Sequence, residues 1–281
     1  MKIAISAEST CDLSQELIEK YDVKIVPFHV TLGDNTFKDG ELTTEEIFKF
    51  VDEKGALPKT NALNEFEYIE YFEELKKDYD AVVHISLSSG LSSSCNNAIR
   101  AAKEVKNVFV VDSLSLSTGI GLLVIYAREL ANDGFAPNEI YDKVQKRVAN
   151  LQVSFVIERL DYLYKGGRCN ALSMLGANIF KIRPRIVVKD GKMGSDKKYR
   201  GTMDKVVAKY GSELLEEFDT PDLDKVFITY TTATPEMVDA AIKAVNDAGF
   251  KNVYQTRAGC TIASHCGGNT LGILYFNDGK E

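Results

Sequence analysis

The sequence predicts an α/β fold whose first half is built on a largely parallel sheet. Three observations lead there. Short β-branched runs at 3–6, 24–32, 81–86 and 107–111 alternate with helical stretches at 14–21, 43–54, 65–77, 91–105 and 117–132, the βαβ rhythm of a parallel sheet wrapped by helices. Small, hydroxyl-rich turns follow several of these runs: Glu8-Ser9-Thr10-Cys11-Asp12, Pro58-Lys59-Thr60-Asn61, Ser86-Leu87-Ser88-Ser89-Gly90-Leu91-Ser92-Ser93 and Asp112-Ser113. Ligands of open α/β sheets bind outside the carboxyl ends of the strands, so turns placed this way can converge on one site. The chain is also long enough, at 281 residues with 44% hydrophobic content, for a substantial core in one or two domains.

Individual elements have local reasons. Thr43-Thr44-Glu45-Glu46 and the run from Thr60 through Asn64 to Glu65 read as helix starts, with acidic first turns that suit the helix dipole. A further helix is expected at 137–150, its proline in the first turn. After a strand at 153–157 the rhythm changes at Leu160-Asp161-Tyr162-Leu163-Tyr164-Lys165-Gly166-Gly167-Arg168, where the glycine pair interrupts regular structure. A helix at 171–180 is followed by strands at 183–189 and 192–199 around Asp190-Gly191, a good hairpin dipeptide. Helix 202–217, strand 225–230, helix 235–247, strand 252–256 and the run 270–276 complete the pattern. The change of rhythm places a soft boundary near 155–165, dividing domains 1–158 and 159–281. No repeat, low-complexity tract or flexible linker separates them.

Composition narrows the function. The longest apolar stretch, 119–126, is far short of the ~20 residues of a membrane span. The first residues carry no signal-like apolar core, so a cytoplasmic protein is expected. Five cysteines, at 11, 95, 169, 260 and 266, are odd in number and lack paired close spacing, against a disulfide framework or a zinc site. The net charge of −7 opposes nucleic-acid binding. That charge is uneven, because residues 165–200 hold ten basic side chains against Asp190 and Asp196. The segment reads either as a solvated hairpin face or as a docking surface for an acidic or nucleotide-bearing partner.

No Walker loop occurs, and Gly119-Ile120-Gly121 lacks the strand context of a dinucleotide fingerprint, so the pair reads as helix packing. Gly90-Leu91-Ser92-Ser93-Ser94 sits where an α/β hydrolase puts its nucleophile, but the final small residue is Ser94 where an elbow has glycine; Ser92 reads far better as a helix cap. Among the three histidines, His29 and His84 lie in apolar strand-like runs. His265, between Ser264 and Cys266 and ahead of Gly267-Gly268, lies in a segment that reads as too short and small for a helix. It is the histidine expected to contact a ligand.

Taken together, these motifs resemble the DegV family of bacterial fatty-acid-binding proteins, the acyl-carrying partners of a fatty acid kinase. Glu8-Ser9-Thr10-Cys11-Asp12 is similar to the family's Asp-Ser-Thr-Ala-Asp, Pro58-Lys59-Thr60 to its Pro-Lys-Thr-Ser, and Ser88-Ser89-Gly90-Leu91-Ser92 to its Ser-Ser-x-Leu-Ser. Tyr162-Leu163-Tyr164-Lys165-Gly166-Gly167-Arg168 resembles its Tyr-Leu-x-Lys-Gly-Gly-Arg, and His265 falls where the family has His-x-Gly-Pro-Gly. Departures lie beside these positions, at Ala62-Leu63-Asn64, Ser93-Ser94-Cys95 and Gly268-Asn269.

The resemblance implies a two-domain α/β fold, the N-terminal domain with a parallel sheet and the C-terminal domain with a mixed one. It implies a long-chain fatty acid in an apolar tunnel, its carboxylate held by Thr60, Ser92 and His265. Arg168 would lie near the carboxylate end, with Lys165, Ser9, Thr10, Asn61, Ser93 and Gly267 in supporting or phosphate-facing places. A separate fatty acid kinase subunit would phosphorylate the carboxylate, with transient membrane-surface contact, no nucleic acid and no cofactor or metal. The chain itself would be a carrier, not an enzyme. Physical reasoning agrees: burying about fourteen methylenes at roughly 0.8 kcal/mol each supplies on the order of 11 kcal/mol before ordering costs. Neutral hydroxyl donors orient a carboxylate without quenching it, and phosphoryl transfer rests mostly on positioning. The other readings are a Ser–His hydrolase of a small amphipathic ester and a regulatory module for another carboxylate ligand.

Overall fold

The computed structural model describes residues 1–169 and 182–279. In chain order its first part runs β1 (Ile3–Glu8), α1 (Gln15–Lys20), β2 (Val23–Val26), β3 (His29–Leu32), β4 (Asn35–Lys38), α2 (Thr44–Lys54), β5 (Lys59–Asn61), α3 (Glu65–Lys76), β6 (Ala81–Ser86), α4 (Ser94–Glu104), β7 (Val108–Asp112), α5 (Thr118–Asn132) and α6 (Pro137–Arg147). There follow β8 (Leu151–Val156), α7 (Leu160–Lys165), β9 (Arg183–Lys189), β10 (Lys192–Tyr199), α8 (Met203–Glu217), β11 (Lys225–Tyr230), α9 (Pro235–Asp247), β12 (Asn252–Arg257), α10 (Cys260–Cys266) and β13 (Leu271–Phe276).

Strands β2-β1-β6-β7 form an all-parallel sheet, and β10-β9-β8-β13-β11-β12 a mixed sheet in which β11 and β12 alone pair in parallel. This is the expected α/β architecture, a parallel N-terminal part and a mixed C-terminal part. Strand β8, ahead of the expected boundary at 158, pairs within the second sheet. A small antiparallel sheet, β4-β3-β5, was not anticipated. Pro27 explains it: the run read as one strand over 24–32 ends in the parallel sheet at Val26 and restarts at His29 in the small sheet, because proline has no N–H to continue the ladder.

Helix α5 joins the two main sheets. Residues 118–125 are all buried, as expected for a helix apolar on every side. Its core reaches from Ile5 and Val83 of the first sheet to Val153, Phe227 and Leu274 of the second. The two glycines of this helix serve packing: a Cβ on Gly119 would come within 2.8 Å of Val153 Cγ2, and one on Gly121 within 2.8 Å of Leu13 Cδ2. Helix starts follow local chemistry. Thr43 with Glu46, and Asn64 with Glu67, form reciprocal capping boxes, so the second start lies at Asn64 and Thr60-Asn61 belongs to β5. Helix α4 begins at Ser94, later than the expected 91, which frees residues 87–93 as a loop. The helix expected at 171–180 lies outside the described residues. No helix among the described residues is long and apolar enough to cross a membrane.

Candidate functional site

The parallel sheet changes winding direction between β1 and β6. From β1 the chain moves outward to β2, and from β6 it moves the other way to β7. The carboxyl ends of such a pair diverge and open a crevice. Glu8, the last residue of β1, fills the base of that crevice with its side chain fully buried. Its Oε1 accepts from Tyr68 Oη at 2.7 Å, Ser86 Oγ at 2.6 Å and Ser94 Oγ at 3.2 Å, and lies 3.3 Å from His84 Nε2. Oε2 accepts from Leu87 N at 2.9 Å. Burial alone would raise this carboxyl, but the His84 ring and the Ser86 and Tyr68 hydroxyls outweigh it and hold Glu8 down at about 2. Leu87 and Ser94 flank the 88–93 loop, so one carboxylate pins both of its ends.

Above this base lies a cavity of about 370 Å³ lined by Phe28, Thr60, Asn61, Ala62, Leu87, Leu91, Ser92, Ser93, Leu116, Arg168, Met193, Thr261, Ile262, His265 and Cys266. Thr60 comes from β5, Ser92 and Ser93 from the pinned loop, and His265 from α10. The structure brings Thr60 and His265 together directly, with Thr60 Oγ1 2.8 Å from His265 Nε2. His265 is pushed down to about 4, by burial and then by the neighbouring Arg168 charge, so its imidazole is neutral at physiological pH. Ser92 Oγ accepts from Ser94 N at 3.2 Å and so also serves the start of α4.

His265 sits on a helix, contrary to the sequence expectation. The seven residues of α10 are apolar, polar and small in no clear period; their helical form depends on distant carboxylates. Asp12 accepts from Gly259 N at 2.8 Å, and Asp39 accepts from Cys260 N at 2.9 Å and Thr261 N at 3.3 Å. These are the free donors of a helix N-terminus, where negative groups are favoured. Burial, against the Ser117 and Gly259 hydrogen bonds, raises Asp12 from 3.8 to about 8. Since the folded value exceeds the unfolded one, the native state keeps a proton the unfolded chain has lost, and stability from this group declines as pH rises from 3.8 toward about 8. Asp12→Asn mimics the neutral acid, with the Ser117 hydroxyl free to turn from donor to acceptor. Thermal unfolding should show the variant little changed from the parent at about pH 3 and progressively more stable than it as pH rises from 3.8 toward about 8; a parent-like loss of stability with rising pH in the variant would assign that slope elsewhere.

The glycine-rich motif also acquires a reason. A Cβ on Gly166 would lie 2.5 Å from His265 Nδ1, so only glycine lets the 165–168 turn pack on the imidazole. Gly267 ends α10 at φ +74°, and a Cβ there would meet the Tyr162 ring at 2.9 Å. Arg168 reaches the cavity rim, exposed, with Nη1 donating to Gly166 O at 2.7 Å. Asn61 lines the cavity and donates from Nδ2 to Thr31 Oγ1 at 3.3 Å. Four expected residues do not line it. Lys165 is exposed at the end of α7. Ser9 Oγ accepts from Phe28 N and donates to Asp39, thereby supporting the base of α10. Thr10 is buried, and Gly267 packs on Tyr162.

The apolar lining was not legible: Phe28, Leu116, Ile262 and Met193 carry no signal that separates a cavity wall from ordinary core. Nor was the role of the hairpin. Ser88 Oγ donates to Gly191 O at 2.7 Å, docking the β9–β10 tip on the site loop and bringing Met193 into the wall. The basic segment is partly neutralised by ion pairs, most of them to carboxylates outside it. Arg183 pairs with Glu158, Arg185 with Asp196 and Glu217, and Lys197 with Glu213 and Glu217. Lys189 and Lys192 remain exposed at the tip, while Lys181 lies outside the described residues.

A charge-relay reading finds no geometry here. His265 Nε2 is engaged by Thr60, not Ser92, and Nδ1 has no partner among the described residues to orient it. Cys266, the thiol in the wall, is pushed up to about 12 by burial, the opposite of an activated nucleophile. Among the described residues no cluster of three or more His, Cys, Asp or Glu could hold a metal. Folded protein treated with a fluorophosphonate probe should remain unlabelled at Ser92; stoichiometric labelling there would restore the hydrolase reading.

The site is thus a cavity in an α/β fold, lined by apolar side chains and neutral hydrogen-bonding groups in near-equal share, with a cation at the rim. The chain belongs to the DegV family, described as uncharacterised proteins, whose profile matches residues 2–278. It is 32% identical over 296 residues to a fatty acid-binding protein of Thermotoga maritima, covering 97% of each chain. Its fold superposes with TM-score 0.89 on a fatty-acid-binding DegV family protein from Thermus thermophilus, at 27% identity and covering 98% of this chain and 99% of that one. A DegV lipid-binding protein from Thermotoga maritima matches with TM-score 0.85 at 29% identity over the whole of both chains.

Proposed function

We propose that this protein binds a long-chain fatty acid in the cavity and presents its carboxylate to a separate kinase for conversion to acyl-phosphate. The observation that carries this reading is the neutral Thr60–His265 pair, set with Ser92 and Ser93 in a cavity whose remaining wall is mainly apolar. In this reading the head group accepts from the Thr60 and Ser92 hydroxyls and from His265 Nε2–H, the carboxylate taking the place of the Thr60–His265 hydrogen bond, and the tail lies along Phe28, Leu116 and Ile262. Fatty-acid-binding relatives that share the fold over nearly the full chain support the ligand class. Arg168 stands where it would offset charge on an incoming phosphoryl group. The five cysteines are buried, and no disulfide joins them among the described residues, which suits a cytoplasmic carrier.

Thr60→Val keeps the shape and removes a donor. With the cognate kinase it should lower acyl-phosphate formation at subsaturating fatty acid roughly tenfold, the cost of one charge-assisted hydrogen bond; an unchanged rate would remove Thr60 from the head-group site. The exposed lysines of the hairpin tip offer a kinase-facing surface beside the mouth. Reversing Lys189 and Lys192 to glutamate should slow the kinase reaction and leave fatty-acid affinity unchanged, whereas an unchanged reaction rate would count against docking at this tip.

A further inference from the structure

Thr60 and His265 meet at 2.8 Å, yet they stand on different supports: Thr60 on β5 of the small sheet β4-β3-β5, and His265 in the last turn of α10. Asp39, the residue after β4, joins the two supports without lining the cavity. Its backbone N donates to Phe28 O at 2.8 Å, which extends the β3–β4 pairing by one residue, and β3 in turn sets Val30 opposite Thr60. Its carboxylate accepts from Cys260 N at 2.9 Å and Thr261 N at 3.3 Å, the first two residues of α10. Ser9 Oγ donates to the same carboxylate at 3.0 Å and accepts from Phe28 N at 3.1 Å. Both backbone groups of Phe28, a wall residue, are thereby tied to Asp39.

The N-cap of α10 explains why a distant acid is needed. That residue is Gly259, with φ −67° and ψ 174°, extended backbone open to any residue, and it has no side chain to cap with. A Cβ there would lie 3.2 Å from Asp39 Oδ1 and 3.3 Å from Asp12 Oδ1, so carboxylates from elsewhere occupy the place of a local cap. A helix of seven residues has little stability of its own, and its first N–H groups need acceptors. Without Asp39, the start of α10 keeps Asp12 on Gly259 N and the Cys260 thiol, a weak donor, on Leu42 O at 3.1 Å.

We propose that Asp39 is a positioning residue for head-group binding: it locks the small sheet to α10 and so fixes Thr60 against His265 without touching the ligand. This rests on the fatty-acid reading above and goes beyond it in assigning the alignment of the site to a carboxylate outside the cavity. A displacement of about 1 Å is enough to spoil a binding geometry of this kind.

The test is a rescue. Asp39→Ala removes the acceptor, and Gly259→Ser places a new one at the N-cap, in the space Asp39 vacates. Myristate affinity, measured by isothermal titration, should fall about tenfold in Asp39→Ala, the cost of a lost helix cap, and return to within about threefold of the parent in the double variant. Asp39→Asn, which keeps one acceptor oxygen, should lie between; should Asp39→Ala not fold, Asp39→Asn with and without Gly259→Ser takes its place. NMR of the His265 ring reads the helix without any ligand: its titration, at about 4 in the parent, should move toward 6.5 in Asp39→Ala as the loosened imidazole meets water, and move back in the double variant. Parent-like affinity and a parent-like His265 titration in Asp39→Ala would overturn the assignment. So would a loss that Gly259→Ser leaves unrepaired, since Asp39 would then serve folding at large. A parent that binds no myristate would overturn the fatty-acid reading, and the His265 titration would then decide for or against Asp39 by itself.

Discussion

Glu8→Gln is expected to lower stability by about 3–5 kcal/mol, the range for breaking a fully buried, hydrogen-bonded charge network. The carboxylate is fully buried and accepts from two hydroxyls, a backbone N–H and a third, longer hydroxyl contact, with the His84 ring beside it. An amide offers one oxygen for these donors and turns two N–H groups toward others, leaving several of them unmade. The same network gives a pH signature. Glu8 falls from its ordinary 4.5 to about 2 in the fold. A depressed folded value stabilises the protein above the unfolded value, and that contribution, on the order of 3 kcal/mol, is lost as pH falls from 4.5 toward about 2. Denaturant unfolding of parent and variant at a series of pH values should therefore show their difference shrinking through this acidic window. A variant as stable as the parent at neutral pH would show that the buried carboxylate does not organise the crevice.

His265→Ala should have the largest effect on binding. It removes a head-group donor, deprives Thr60 of its partner and opens space beneath Gly166. Loss of a hydrogen bond to a charged group costs about 1.5–3 kcal/mol, so fatty-acid affinity should fall between roughly tenfold and a hundredfold. Because burial and Arg168 keep the free imidazole near 4, the parent's affinity should be flat between about pH 7 and 9; an ordinary histidine that bound as a cation would lose affinity as pH rose through that region. Isothermal titration across this range separates the two, and a steady loss of affinity with rising pH would contradict a neutral His265.

Legibility in the sequence followed the range of the interactions. Helix caps at Thr43 and Asn64, the Asp190-Gly191 turn and the glycine packing in α5 are set by neighbours within a few residues or by size alone, and they stood in the sequence plainly. The Thr60–His265 pair joins residues 205 positions apart, and only the family resemblance brought them together. Helix α10 could not be read because its cap comes from Asp12, 247 positions away from Gly259, while its own seven residues carry little helical signal. Glu8 ends a strand beside a polar turn, where a solvated acid is the ordinary expectation. Nothing local says that it is buried under the donors of Tyr68, Ser86 and Leu87.

The central claim, a fatty acid held by Thr60, Ser92 and His265, is tested most directly by denaturing extraction of freshly purified protein, with mass spectrometry of the organic phase beside the native mass of the intact chain. The account predicts one long-chain acyl carboxylate per chain, released on denaturation and recovered at lower occupancy from His265→Ala. An empty chain that also takes up no added fatty acid would contradict it.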